Sequence, residues 1–316
     1  MHLFQKLLGK KQSNKGITAL SFTADGIAIA ISLYAENQKP TLIHCEFIPT
    51  NKKQATLKEL TEKHQLTEYD CNIVLTSGEY RLVTIEAPEV ADNELIEAIR
   101  WKISDLIEFP VDDALIEHYP LPLSERVNSE KMLEVIACPK SAIQPLVDLC
   151  INCELQLKVI DIQETCLRNL ATLLPENDRG IAVLHLHKTT GRIIIEQQGS
   201  IYISRKLTMG YDRLGLTDNF LSDEQIALEQ NGLALEIQRS FDYVESYYGL
   251  PPISWLAVIP LIENTSELIN ALNSNHGITA RIMDLSTIIE GEILLDDPTQ
   301  AICAPVIGAT LRDTTL

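Results

Sequence analysis

The chain has 316 residues, more than a single hydrophobic core usually holds, so we expect two domains or one domain with a large insertion. Hydrophobic residues make up 45% of the sequence and aromatic residues 5%, which predicts an aliphatic core of the kind found in α/β proteins. The formal net charge of −18 would repel a phosphate backbone, so nucleic acid is not expected as a partner.

No apolar run approaches the roughly 18 to 20 residues that a membrane-spanning helix needs. Residues 1–15 form a basic, amphipathic tail in which Leu3 and Phe4 stand near Lys6 and Lys10. Its apolar part is too short for a secretory signal, so a cytoplasmic protein is expected. A frayed terminus is the favoured interpretation of the tail, and contact with anionic lipid is the alternative.

Seven cysteines are scattered along the chain, and a cytoplasmic protein is expected to keep them reduced. Cys150 and Cys153 have the C-x-x-C spacing that can serve redox or metal chemistry. The pair stands alone, and it follows a predicted helix rather than opening one, where the pKa of a thiol would be lowered. Two small buried apolar residues are therefore the favoured interpretation.

The first half of the chain opens with a predicted β-hairpin over residues 16–33, with its turn at 23–26. The helix predicted over residues 92–108 is the best defined element, because Asp92 is a good N-cap and Pro110 stops it. A loop is expected over 121–131. The other predicted elements are strands over 41–47, 72–76, 80–86, 132–137 and 157–160, and helices over 55–64, 139–150 and 163–174.

Residues 175–178, with the sequence PEND, form the clearest boundary of the chain. Strands predicted beyond it over 181–186, 192–196 and 199–207 repeat the opening hairpin, as expected of a duplicated α/β fold. A helix over 233–248 ends at Gly249 before two prolines. A strand over 255–259, a helix over 266–273, a strand over 279–283 and a last segment over 301–311 complete the chain.

Three segments carry a family resemblance. Residues 237–248 read IQRSFDYVESYY and are followed by Pro251 and Pro252; residues 98–101 read AIRW, with Phe109 and Pro110 downstream; residues 305–309 read PVIGA. These segments resemble motifs of the PilM-like family, the actin-fold proteins of type IV pilus assembly. The sequences of these three segments look most like those of the MshI branch, which serves mannose-sensitive haemagglutinin (MSHA) pili.

The resemblance implies a duplicated actin-like two-domain α/β fold of the FtsA/PilM type with a small inserted α+β subdomain. Residues 16–83 with 140–175 would form the first domain, 84–139 the insertion and 176–316 the second domain. It also implies a cytoplasmic scaffold at the inner membrane that binds the N-terminal tail of a PilN-like bitopic protein near the insertion. Other pilus platform proteins and a second copy of the chain are further expected partners.

Actin-like ATPases need an Asp and glycines in each of two hairpins, because the amides of a tight turn cradle phosphate and a carboxylate positions magnesium. The first matching stretch has no Asp before its turn, and Phe22 and Thr23 stand where the family has glycine and hydroxyl residues. The second matching stretch has neither the Asp nor the first Gly of the family motif. Its residues are His187, Lys188, Thr189, Thr190 and Gly191.

A third family feature, glycines after the strand near Trp255, is missing as well, so side chains should fill the nucleoside cleft. We therefore expect no cofactor, no metal and no catalytic residues, as in a pseudo-ATPase. A working ATPase that binds ATP and Mg²⁺ as a switch is the alternative, and an unrelated α/β enzyme is a third. His185 and His187 could bind metal, although partly exposed strand histidines are favoured.

Trp101 lies opposite the apolar stripe of the helix predicted over 92–108, which comprises Leu95, Ile96, Ile99, Ile103, Leu106 and Ile107. Either an adjoining part of the chain covers the indole, or the indole anchors the partner's tail while nearby carboxylates meet its basic residues. The candidate partner-binding residues are Arg100, Trp101, Asp105, Glu108 and Phe109.

Overall fold

The computed structural model describes residues 15–34, 39–124, 130–216, 221–253, 255–276 and 278–312. Of the tail predicted over residues 1–15, only residue 15 lies within these ranges. Among the described residues, no helix combines the length and apolar character that crossing a membrane requires.

The first sheet begins with the predicted hairpin, in which β1 (Gly16–Phe22) pairs antiparallel with β2 (Gly26–Leu33). Both strands are almost wholly buried, because the sheet is covered on both faces. β3 (Thr41–Pro49), β4 (Asp70–Val74) and β8 (Gln156–Asp161) complete the order β3-β2-β1-β4-β8. α1 (Lys53–His64) and α3 (Lys140–Asn152) cover one face.

The second sheet has the same plan. Its strands are β9 (Ile181–Leu186), β10 (Gly191–Gln197), β11 (Ser200–Leu207), β12 (Leu256–Val258) and β13 (Ala280–Ile282). Their order is β11-β10-β9-β12-β13, with three antiparallel strands followed by two parallel ones, as in the first sheet. The duplicated actin-like α/β fold expected from the sequence is therefore confirmed.

Helices cover the outer face of the second sheet. α5 (Asp223–Tyr243) continues through a π-helical turn over Val244–Tyr248 and ends at Gly249, whose φ of 78° is left-handed, so the predicted cap is confirmed. α6 (Thr265–His276) is longer than expected. The single turn α7 (Leu285–Ile288) packs instead against the apolar cluster between the two sheets.

Two helices lie between the sheets and join the halves. α4 (Gln163–Ala171) follows the last strand of the first sheet, and α8 (Asp297–Thr310) follows that of the second. They contact each other closely at Gly308, where an added Cβ would stand 2.2 Å from the backbone oxygen of Cys166. Both contribute to one apolar cluster that also includes the inner faces of both sheets. The two halves thus share a core.

The third sheet is an insertion between β4 and α3. It consists of β5 (Arg81–Glu86), β6 (Ala114–Pro120) and β7 (Met132–Pro139) in the order β5-β7-β6, covered by α2 (Leu95–Ile103). β5 thus begins three residues before the expected start of the insertion at residue 84. The sequence did not predict β6.

The helix predicted over 92–108 is shorter in the structure. α2 begins after Glu94 rather than Asp92, and it ends at Ile103, where Ser104 Oγ donates to the carbonyl oxygen of Trp101 at 2.9 Å. Leu106 consequently lies off the apolar stripe and is exposed. All seven cysteines are free thiols, and the buried positions of Cys150 and Cys153 confirm that both are core residues.

Candidate functional site

A groove of about 620 Å³ separates the insertion from the body of the protein. We call it the insertion groove. β6 forms one wall, α4 and the β10–β11 turn form the other, and the end of β8 lies at its base. Its lining residues are Leu75, Ile96, Arg100, residues 114–120, Ile136, Cys138, Lys140, Ile143, residues 160–162, Thr165, Arg168, residues 199–201 and Arg312.

The insertion groove combines aliphatic walls with cationic side chains. Arg168 Nη1 donates to the carbonyl oxygen of Gly199 at 2.8 Å, and Lys140 Nζ donates to that of Asp112 at 3.1 Å. Arg100 likewise donates to backbone carbonyls, and its Nε lies 3.7 Å from Glu97 Oε1. Arg312 instead donates to Asp161 Oδ2 at 2.6 Å. The groove thus contains four cationic side chains against the two acidic ones of Glu117 and Asp161, on a strongly acidic protein.

β6 is an edge strand whose free side faces the groove. It pairs with β7 through residues 114–120, and among the described strands no other pairs with it. His118 Nδ1 and the Tyr119 hydroxyl are buried without a hydrogen-bond partner, and burial lowers the pKa of His118 and raises that of Tyr119. The unpaired backbone N–H and C=O groups along such a strand edge can accept another extended chain.

The five candidate partner-binding residues have different environments. Arg100 lines the insertion groove and Phe109 packs partly against the core of the insertion. Glu108 accepts a hydrogen bond from Arg81 at 2.8 Å, and Asp105 is exposed. Trp101 is 83% exposed. Of the two alternatives for its indole, coverage by another described part of the chain is therefore wrong.

The first hairpin turn uses its own backbone donors. The Thr23 N–H donates to the Gly26 carbonyl at 3.0 Å, and the Gly26 N–H donates to Thr23 Oγ1 at 3.1 Å. Phe22 is buried among Leu20 and Ile27, in the cluster that α1 and α3 cover. The amides of Thr23 and Gly26 are therefore engaged within the turn.

The second hairpin turn, residues 187–190, is covered by another segment. The His187 N–H donates to Thr190 at 2.8 Å, while the carbonyls of His187 and Lys188 accept from Tyr211 and Asp212, each at 3.0 Å. Beyond β12, Ile259 and Leu261 are buried. Large side chains thus occupy the segment where the family has glycines.

His185 and His187 have different environments. His185 is buried, so the expectation of a partly exposed side chain is wrong for it, whereas His187 is half-buried. Burial lowers the pKa of His185 to about 3 and that of His187 to about 4, which makes both imidazoles neutral. Within the described ranges, no further His, Cys, Asp or Glu joins them in a group that could hold a metal.

The reason for burying His185 is found in α8. Pro305 has no backbone N–H, so it cannot donate to the carbonyl of Ala301 one turn earlier. His185 Nε2 lies 2.8 Å from that carbonyl oxygen, and the neutral imidazole donates to it. The histidine therefore satisfies a buried acceptor that the proline leaves without a helical partner.

A buried ion pair joins the two halves near the start of α4. Arg192, the second residue of β10, pairs with Glu164, and the Tyr80 hydroxyl donates to the second carboxylate oxygen of Glu164 at 2.6 Å. Both charged side chains are almost fully buried. This pair connects the first half to the second by direct side-chain contact.

Sequence reasoning missed most of the insertion groove. Its walls come from segments far apart in the chain, so no local motif marks them. Ile116, Thr165 and Arg168 are examples of lining residues that sequence reasoning missed. The i, i+3 spacing of Thr165 and Arg168 was the available signal, because it places two polar residues on one side of α4.

The sequence matches no known protein-family model and no curated protein. A chain of a PilM–PilN type IV pilus biogenesis complex has a TM-score of 0.70 and 18% identity, and the match covers 96% of this chain and 98% of that chain. The cytoplasmic domain of EpsL, an inner-membrane component of the type II secretion system of Vibrio cholerae, has a TM-score of 0.50 and 12% identity. The match covers 94% of this chain and 95% of that domain. A Bacteroides thetaiotaomicron protein with an actin-like ATPase fold also has a TM-score of 0.50 and 12% identity. That match covers 96% of this chain and 98% of that chain. These likenesses show that the chain has an actin-like fold.

Proposed function

We propose that the protein is a cytoplasmic adaptor of a type IV pilus assembly platform. In this proposal it binds the N-terminal cytoplasmic tail of a PilN-like bitopic inner-membrane protein, and this partner holds it at the membrane. The likeness to a chain of the PilM–PilN complex over nearly the whole length supports the class of partner. The sequence motifs favour the MSHA-type, MshI-like branch.

The observation that carries the proposal is the insertion groove. An extended tail can add to the edge strand β6 by main-chain hydrogen bonds while its aliphatic side chains enter the groove. Arg168 and Arg100 lie within the same groove and can donate to carbonyl oxygens of the tail. A groove of this size buries a few side chains, which suits a short linear segment.

Trp101 and its acidic neighbours extend this proposed site. Ile96 and Arg100 of α2 line the groove, and Trp101 follows Arg100 on the side of the helix away from the buried Ile99. A tail that leaves the groove over α2 would meet the indole and then Asp105. Basic residues, which are common in cytoplasmic segments next to membranes, fit that acidic surface.

We further propose that the protein acts without hydrolysing ATP. The engaged turn amides, the buried Ile259 and the missing turn Asp residues favour a scaffold over an ATP-driven switch. The switch is the alternative, because the Bacteroides thetaiotaomicron neighbour is described as having an actin-like ATPase fold. Other platform proteins and a second copy of the chain are additional proposed partners.

Filling the groove tests the proposal. Ser200 is exposed and lines the groove at the β10–β11 turn, so Ser200→Trp places an indole there without disturbing the core. We expect the substitution to weaken binding of a labelled synthetic tail peptide at least tenfold in fluorescence anisotropy, because the groove can no longer admit its side chains.

The matched control is Ser266→Trp, at an exposed serine of α6 outside the groove, which should leave the affinity unchanged. Equal affinities for Ser200→Trp and the unsubstituted protein would contradict the assignment of the groove. No binding of the peptide by the unsubstituted protein would contradict the proposed function itself.

A further inference from the structure

A cluster of two histidines and a glutamate lies on the first sheet, away from the insertion groove. His44 and Glu46 belong to the edge strand β3, and His64 is the last residue of α1. One ring nitrogen from each histidine and one carboxylate oxygen of Glu46 all lie within 4.8 Å of one another. The three side chains are half-buried.

The sheet and the helix bring these residues together for simple geometric reasons. His44 and Glu46 are two residues apart on a strand, so their side chains leave the same face. α1 packs on that face, as the apolar contacts of Leu57 and Ile48 show. The C-terminal end of α1 therefore delivers His64 to the pair on β3.

The donor atoms already converge on one point. His44 Nε2 is 3.0 Å and His64 Nε2 is 3.9 Å from the same oxygen, Oε1 of Glu46. The two imidazole rings stack with their centroids 4.2 Å apart. His64 Nε2 is buried and has no hydrogen-bond partner. A polar atom in that state lacks a ligand that would satisfy it.

The geometry points to a binding site for a zinc-class transition-metal ion formed by His44, Glu46 and His64. Tetrahedral Zn²⁺ holds nitrogen and oxygen ligands about 2.0 to 2.2 Å away, which places them roughly 3.3 Å apart. The present distances of 3.0 and 3.9 Å from the two histidine nitrogens to Glu46 Oε1 lie on either side of that value. Two imidazoles select Zn²⁺ and its neighbours over Mg²⁺ and Ca²⁺, which prefer oxygen ligands.

The proposed ion would hold the edge strand to the helix and leave its fourth position open. Three protein ligands on a half-exposed surface admit a water molecule or a donor from another molecule. Lys63 Nζ lies 3.9 Å from the same Glu46 oxygen. Its side chain is 64% exposed, so it can swing into solvent when the ion binds.

Titration of the untagged, full-length protein with zinc chloride in a calorimeter tests this site. We expect one equivalent of Zn²⁺ to bind, and we expect millimolar Mg²⁺ not to compete. Loss of a ligand in His64→Ala or Glu46→Gln should weaken binding at least roughly tenfold, since even residues that only support metal ligands have effects of that size. Co²⁺ should give a visible spectrum that changes in both variants.

Two control variants separate this site from adventitious binding. Lys63→Ala keeps all three ligands and removes a nearby cation, so Zn²⁺ should bind as tightly or more tightly. His118→Ala removes a histidine of the insertion groove and should not change binding. Zn²⁺ should also raise the melting temperature of the unsubstituted protein more than that of Glu46→Gln at the same concentration.

The proposal is overturned if the unsubstituted protein takes up no stoichiometric Zn²⁺. It is equally overturned if Glu46→Gln binds as the unsubstituted protein does. Glu46→Gln decides the matter if His64→Ala fails to fold, because Glu46 lies on an edge strand and its side chain is 34% exposed.

Discussion

Trp101 is an exposed residue whose proposed role is to bind a partner protein. Its side chain is 83% exposed on α2, and a large apolar side chain in that state contributes little to the stability of the protein alone. We expect Trp101→Ala to weaken binding of the tail peptide by roughly 2 kcal/mol, as truncation of aromatic anchors does elsewhere. Fluorescence anisotropy measures the affinity, and urea unfolding should show a change within about 0.5 kcal/mol.

Leu294→Ala is the control for this substitution, because Leu294 is 94% exposed and lies in the second half of the chain. It should change neither affinity nor stability. Unchanged affinity in Trp101→Ala would remove the indole from the partner-binding site while leaving the insertion groove as the remaining candidate.

Glu134 on β7 links stability to pH. Burial raises the pKa of its carboxyl to about 7, and its hydrogen bond from Thr84 Oγ1, at 3.0 Å, only partly opposes that shift. Because the folded state then holds the proton more tightly than the unfolded state, stability is full below about pH 4.3 and declines until about pH 7. The ionised carboxylate is destabilising above that range.

Glu134→Gln removes this charge and keeps an acceptor for Thr84. We expect the variant and the unsubstituted protein to have similar unfolding free energies near pH 4, and the variant to be more stable by about 2 kcal/mol at pH 8. Urea unfolding across this range measures the difference. Glu62→Gln, at an exposed position of α1, should show no such trend; a pH-independent effect of Glu134→Gln would contradict the linkage.

At the scale of elements, the crossing of α4 and α8 depends on a glycine. A Cβ at Gly308 would stand 2.2 Å from the Cys166 backbone oxygen, and Asn169 Nδ2 donates to the Gly308 carbonyl at 2.9 Å. Gly308→Ala must therefore push the helices apart. We expect it to lower the unfolding free energy by about 2 kcal/mol or more in urea denaturation.

Gly232→Ala is the matched control within a helix. Gly232 lies in α5, and the nearest atom to an added Cβ is the mobile end of Met209 at 3.4 Å. Alanine should stabilise this position by up to about 1 kcal/mol through helix propensity. Similar small effects of the two substitutions would mean that the helices can separate at little cost.

Elements with strong local signals were predictable from the sequence. The opening hairpin, its repeat after residue 180 and the Gly249 cap follow from turn residues and alternating apolar positions, and all are present. β6 was missed because four of its seven residues are only partly buried, as an edge strand beside a groove allows. The helix over 92–108 was overextended because Asp92 satisfies a cap rule that the chain does not use.

Sites assembled from distant segments were not predictable in this way. The buried His185 of strand β9 satisfies a carbonyl left free by Pro305, which lies 120 residues later in helix α8, and no spacing rule connects such residues. The cluster of His44, Glu46 and His64 likewise needs the packing of α1 on β3. The residue type shows that such a side chain can form hydrogen bonds or ligate a metal, but only the tertiary structure shows with which partner.

At the scale of the whole molecule, side chains join the two halves directly. In an actin-like ATPase each half supplies one phosphate turn, so the nucleotide contacts both halves. Here the Glu164–Arg192 pair and a shared apolar cluster make that connection. Removing one partner of such a buried pair typically costs 3 to 5 kcal/mol, which indicates how firmly contacts of this kind can hold two halves together.

The proposed scaffold therefore should not depend on nucleotide, and thermal unfolding can decide this. A ligand present at 100 times its dissociation constant stabilises the folded state by about 2.7 kcal/mol, which corresponds to several degrees in a protein of this size. We expect millimolar ATP or ADP with Mg²⁺ to leave the melting temperature unchanged, because the turn amides at Thr23, Gly26 and His187 are engaged in the fold. The tail peptide, added under the same conditions, should raise it and so shows that the assay detects binding. A reproducible nucleotide shift of several degrees would instead favour the ATP-dependent switch, since only a ligand that prefers the folded state can produce it.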